Sequence, residues 1–114
     1  MDAWVQWAVP VGLIAGFLLF KRVGQVGRDE AHKLVKDGAA LVDVRSPAEF
    51  SSGHLPGAIN IPVGDLGGQV KKLGKKDGPI VLYCASGTRS MMARSTLKGL
   101  GYTKVFNLGP MSRW

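Results

Sequence analysis

The chain of 114 residues is predicted to be an α/β protein, a small parallel sheet flanked by helices and preceded by one transmembrane helix. Three observations lead to this reading. Residues 3–20 form an uninterrupted stretch without a charge. Four short aliphatic runs alternate with segments of helical composition, a pattern that favours a mostly parallel sheet covered on both faces. The sole cysteine, Cys84, stands at the end of the third run, where open α/β sheets carry their ligand sites.

The apolar head comes first. Eighteen helical residues rise about 27 Å, close to the roughly 30 Å hydrocarbon core of a bilayer. Pro10, Gly12 and Gly16 weaken a helix in water, but both residue types are commoner in membrane helices than in soluble ones. Trp4 and Trp7 suit one interface, and Lys21 and Arg22 close the other end. The positive-inside rule then places the N-terminus outside and the body in the cytoplasm. A buried or interfacial helix is a lesser alternative, and a cleaved signal peptide is the main competing reading. It is disfavoured because the basic residues follow the apolar core, and no small-residue cleavage triplet follows it. Gly12 and Gly16 form a G-x-x-x-G pair that would let two such helices approach as a homodimer.

The body is basic. Fifteen Lys and Arg stand against eight Asp and Glu, and Asp2 is the only charge before residue 21. Sixteen Gly, six Pro and 46% hydrophobic residues describe a compact, turn-rich domain and exclude general disorder. One cysteine excludes an internal disulfide and any Cys-pair zinc site. The boundaries follow as an anchor over 1–22, a linker over 23–27 and a single domain over 28–114.

Within the domain, Arg28 to Lys36 has acids in its first turn, bases near its end and Gly38 as a stop, so it is predicted helical. Leu41–Val44, Ala58–Ile61, Ile80–Tyr83 and Val105–Leu108 are predicted strands, bounded by Pro and Gly turns. Short helices are expected over Ser46–Phe50 and Val63–Leu73, and a longer one over Ser90–Leu100.

The segment leaving the third strand is Cys84-Ala85-Ser86-Gly87-Thr88-Arg89-Ser90. A strand-to-helix loop turns successive N–H groups inward, and the helix dipole adds positive charge, so the spot favours an anion and a thiolate. Gly87 permits positive φ, Ser86, Thr88 and Ser90 add hydroxyls, and Arg89 adds a cation. This environment lowers a thiol's pKa and exposes a nucleophile to an anionic substrate. The alternative is a packed strand-end cysteine beside a solvated arginine.

Cys84 to Ser90 resembles the active-site loop C-x-x-G-x-R-[ST] of the single-domain rhodaneses, the thiosulfate sulfurtransferases. The resemblance extends to Leu41–Arg45 with Glu49-Phe50, to Ser52–Pro62, and to Leu100–Tyr102 with Val105–Gly109. It implies that Cys84 is catalytic and that Ala85, Ser86, Gly87, Thr88, Arg89 and Ser90 bind substrate. It further implies that Cys84 takes a sulfane sulfur from thiosulfate or a persulfide and passes it to cyanide, a thiol or a protein, with no metal or organic cofactor. Phosphatases built on C-x5-R enclose one residue more than the four between Cys84 and Arg89, which argues against phosphatase or arsenate reductase chemistry. A membrane-anchored binding or regulatory module that does no chemistry is the second reading.

Other polar residues are read as structural support. Asp43 and Arg45 are expected to tie neighbouring loops together, with Glu49 as a further partner, and His54 to satisfy backbone groups in its turn. His32 is read as an exposed helix residue, and Met91 and Met92 as core filler. Lys71, Lys72, Lys75 and Lys76 form a basic cluster, read first as a solvated face and second as a contact for anionic lipid. Nucleic acid is not expected, because no aromatic residues stand nearby for base stacking. The chain departs from the family pattern at Pro110, which follows Gly109 where a second glycine is usual. A final helix is expected to be absent or one turn long, leaving the loop's wall on that side in question.

Overall fold

A computed structural model describes residues 24–114. The membrane-spanning helix expected over residues 3–20, with its Gly12 and Gly16 pair, lies outside the described residues. Among the described residues no helix is long and apolar enough to cross a membrane.

The elements run α1 (Arg28–Lys36), β1 (Ala40–Asp43), α2 (Pro47–Ser52), β2 (Ile59–Asn60), α3 (Leu66–Gln69) between 3-10 turns at Val63–Asp65 and Val70–Leu73, β3 (Ile80–Cys84), α4 (Thr88–Gly99), β4 (Val105–Pro110) and a 3-10 turn at Met111–Arg113. The four strands form one parallel sheet in the order β2-β1-β3-β4, which makes β3 a central strand. All five β3 residues are buried. Their side chains alternate between faces with period two. Ile80, Leu82 and Cys84 join Leu66, Ala93 and Leu97 in one core. Val81 and Tyr83 join Val26, Ala31 and Leu108 in the other.

Local chemistry explains the element ends. α1 follows the bounds its charges predict, and Gly38 closes it at φ +108. α2 starts at a capping box in which Ser46 accepts from the Glu49 N–H while the Glu49 carboxylate accepts from the Ser46 N–H. The single short helix expected over Val63–Leu73 is broken into three pieces. Gly64, Gly67 and Gly68 carry the entropy cost of glycine in a helix and bury no side chain there. The second strand shrinks from the expected Ala58–Ile61 to Ile59–Asn60 at the sheet edge, with Pro62 following, and Ile59 is exposed.

Residues 24–26 dock on the sheet. Gln25 bridges Asn107 in parallel, and the Val26 N–H donates to the Asn107 carbonyl at 3.1 Å. At the other end, the 3-10 turn stands where a final helix was in question, and it sets Trp114 against the second core. His32, expected to be exposed, is half-buried instead. Its ring stacks on Trp114 with centroids 3.7 Å apart, and Nε2 lies 2.7 Å from the Trp114 main-chain oxygen. A planar ring on α1 covers an indole that would otherwise face water. Met91 and Met92, expected in the core, are 48% and 55% exposed on the first turn of α4, because Ser90, Ala93 and Leu97 take its inward face.

Candidate active site

Cys84 ends β3 with its side chain fully buried, and the chain then turns through Ala85, Ser86 and Gly87 into α4. Gly87 holds φ +102 and ψ −16, a conformation only glycine adopts without strain. That turn aims two N–H groups at the sulfur. The Gly87 N–H donates to Cys84 Sγ at 3.0 Å and the Ser90 N–H at 3.4 Å. The thiol itself donates to Ser90 Oγ at 3.5 Å, and that hydroxyl donates to the Gly87 carbonyl at 3.0 Å.

Two opposing effects act on the thiol. Burial pushes its pKa up and is the largest single influence, but the hydrogen bonds from Ser90, Gly87 and Ser86 together outweigh it and leave Cys84 below the ordinary thiol value. The loop is therefore built to stabilise negative charge on sulfur, whether on a thiolate or on the outer sulfur of a persulfide.

The wall beyond the loop is formed by the end of β4. A register shift between Leu82 and Tyr83 brings Gly109 opposite Tyr83 and Pro110 opposite Cys84. A Cβ on Gly87 would touch Pro110 Cδ at 3.5 Å and Gly109 Cα at 3.6 Å, so the two segments lie in contact. A cleft of about 230 Å³ opens on this flank, lined by Gln25, Ser86, Thr88, Met91, Asn107 and Arg113 among others. Cys84 is not in its lining, whereas Gly87, whose N–H donates to Sγ, is.

Arg89 does not point its charge freely at a substrate. It forms a bidentate pair with Glu49, Nη1 to Oε1 at 2.6 Å and Nη2 to Oε2 at 3.0 Å. Glu49 also accepts from the Ser46 N–H and hydroxyl. Arg89, then Ser46, hold the Glu49 carboxyl down at about 2. Glu49 is thus the partner of Arg89, whereas the sequence suggested Arg45.

Among the described carboxylates, Arg45 is bound to Asp43 alone. Its guanidinium takes both Asp43 oxygens, at 2.7 to 3.1 Å, and Nη2 donates to the Gly53 carbonyl at 2.7 Å. The pair is buried, with side-chain exposures of 8% and 0%, and it ties the end of β1 to the turn after α2. His54 is exposed. It stacks on Phe50 at 3.7 Å and its Nδ1 lies 3.0 Å from the Phe50 carbonyl, a brace local to α2 and not to the loop.

Sequence reasoning missed three contributors. Asn60 Nδ2 donates to the Asp43 and Arg45 carbonyls, locking β2 to the end of β1. Tyr83 sits beneath the site with its hydroxyl accepting from the Leu55 N–H at 3.0 Å, and burial raises its pKa to about 12. The Ser46-x-x-Glu49 capping box was legible as a motif and fixes the carboxylate that Arg89 meets. Among the described residues no group of three or more His, Cys, Asp or Glu is placed to hold a metal ion.

Residues 27–114 match the Rhodanese-like domain family. The chain belongs to the rhodanese-like family. Among its relatives, YqhL of Bacillus subtilis (strain 168) is 35% identical over 90% of this chain and 81% of its own length. Thiosulfate sulfurtransferase GlpE of Pseudomonas syringae is 31% identical over 83% of this chain and 87% of its own. The solved structure of the human single-domain sulfurtransferase TSTD1 superposes with a TM-score of 0.69 at 30% identity, covering 80% of this chain and 91% of that one. The rhodanese-like fold, a parallel sheet flanked by helices, follows from the family match and from that superposition together. The match to YqhL is longer than the described domain and so takes in part of the apolar head.

Proposed function

We propose that this protein is a sulfurtransferase that carries sulfane sulfur on Cys84. The observation that supports this most directly is the pair of N–H groups, from Gly87 and Ser90, converging on Cys84 Sγ. The Cys84 thiolate attacks the sulfane sulfur of thiosulfate or of a persulfide. A sulfur–sulfur bond forms at Sγ, the donor's own sulfur–sulfur bond breaks, and its electron pair leaves with sulfite or a thiolate. The loop N–H groups of residues 85–90 hold the outer sulfur's negative charge. Cyanide, a thiol or a protein cysteine then takes that sulfur and restores the Cys84 thiolate. Neither half of the cycle calls for a metal or an organic cofactor.

Cys84 is fully buried, beside the exposed loop residues Ala85 and Ser86. That burial also favours a second reading, a rhodanese-like binding module whose cysteine is structural. Thiosulfate separates the two. The sulfurtransferase gains one sulfur atom at Cys84 that cyanide removes, and the binding module stays at its native mass.

The apolar head completes the proposal: residues 3–20 anchor the domain in a membrane, N-terminus outside and domain cytoplasmic. Its support is the uncharged span closed by Lys21 and Arg22. A reporter active only in the cytoplasm, fused to the C-terminus, lights up if this is right and stays dark if the orientation is reversed.

A further inference from the structure

On the side facing α2, the loop's surroundings are electrically quieter than the chain's formal charge of +7 suggests. Three arginines stand at the carboxyl end of the sheet, and two of them are matched by a carboxylate. Arg45 is bound to the buried Asp43, and Arg89 is held bidentate by Glu49. Glu49 cannot easily turn away, because the Ser46 N–H and hydroxyl hold it at 3.2 and 3.0 Å as part of the α2 cap. Arg113, beyond Pro110, donates to the Leu108 carbonyl at 3.4 Å and lines the cleft on the other side of the loop with Ser86, Gly87 and Thr88. On the Glu49 side, an incoming donor therefore meets N–H dipoles at the sulfur and a guanidinium already paired with a carboxylate.

We infer that Glu49 is a specificity-determining residue that, by neutralising Arg89, turns the site away from dianionic thiosulfate and towards organic persulfides carrying at most one negative charge. The inference rests on the sulfur-transfer reading above and narrows its donor. With thiosulfate, two negative charges approach Cys84, and the departing sulfite carries two away past a fixed carboxylate. With an alkyl persulfide, the Cys84 thiolate takes the outer sulfur, the persulfide's sulfur–sulfur bond breaks, and only a thiolate leaves. Repulsion by Glu49 thus falls more heavily on the first donor than on the second.

The experiment compares wild-type protein with Glu49→Gln, using thiosulfate and an alkyl persulfide as donors and the rate of Cys84 persulfide formation by mass spectrometry as the readout. Glutamine can still accept from Ser46, which keeps the α2 cap, while the Arg89 charge is left uncompensated. The expected result is a gain of about tenfold in kcat/KM for thiosulfate and a change below about threefold for the persulfide, from one charge removed several ångströms from a dianion. The gain shrinks as salt is raised, since the charges are partly exposed. Asp77→Asn makes the same change in net charge ahead of β3, at the opposite end of the strand from Cys84, and leaves the donor ratio at the wild-type value. An equal change for both donors in Glu49→Gln, or a matching shift of the ratio in Asp77→Asn, overturns the inference and leaves sulfur transfer standing. Failure of wild-type protein to form a persulfide from either donor overturns both.

Discussion

Gly87→Ala probes the link between backbone conformation and the sulfur's charge. Gly87 sits at φ +102, and its missing Cβ would meet Pro110 and Gly109 only at ordinary van der Waals distance. The penalty is therefore conformational and not a clash. Holding an alanine at positive φ costs about 1–2 kcal/mol, which lowers Tm by roughly 5–10 °C in a domain of this size. The loop can escape that strain by relaxing, but the Gly87 N–H then leaves Sγ. Loss of one hydrogen bond to a charged acceptor lowers the reactivity of Cys84 at neutral pH by about tenfold. The assays are thermal unfolding and the rate of Cys84 alkylation by iodoacetamide. Gly87→Asn, a residue that tolerates the left-handed region better, falls between glycine and alanine in both. Wild-type Tm and alkylation rate in Gly87→Ala would refute the reasoning, because they would show that the observed turn is not what holds the thiolate.

Three further outcomes follow from the packing and the ion pairs. Leu97→Ala empties a fully buried site between α4 and the sheet and costs about 2–5 kcal/mol in denaturant unfolding. Tyr83→Phe strands the Leu55 N–H at a cost of about 1–3 kcal/mol. Because burial raises Tyr83 from 10.0 to about 12, the unfolded chain loses that proton first. Wild-type stability therefore falls as pH rises from about 10 towards 12, a limb that Tyr83→Phe lacks. Glu49 runs the other way. Its pKa is depressed from 4.5 to about 2, so its contribution is complete above 4.5 and is lost as pH falls through 2. The Tm difference between wild type and Glu49→Gln narrows over that range.

What the sequence disclosed was mainly local. Arg28–Lys36 could be bounded at both ends because its charges and Gly38 act within one turn of the helix termini. The aliphatic runs gave the central strands because both faces of a parallel sheet are covered, leaving no polar alternation to confuse the period. The loop's conformation followed from Gly87 at a strand-to-helix junction. Tertiary partners were harder to read. Glu49 and Arg89 lie forty positions apart, and nothing local separates Arg89 from Arg45 as the partner of that carboxylate. The Pro110 wall depends on a register shift in β4, which a one-residue count along the strand does not reveal. His32 carries no sign of its ring stack because Trp114 is eighty-two positions away. Met91 and Met92 were misplaced because their composition is apolar, while the inward face of α4 was taken by smaller side chains beside them.

The central claim is that Cys84 carries sulfur in a loop built to hold its charge. Intact-mass spectrometry of the full 114-residue chain after incubation with an alkyl persulfide, and separately with thiosulfate, tests it most directly. The account predicts the addition of one sulfur atom, its removal by cyanide, and no addition in Cys84→Ala. A folded protein that stays at its native mass with both donors, or that gains sulfur equally in Cys84→Ala, would contradict it.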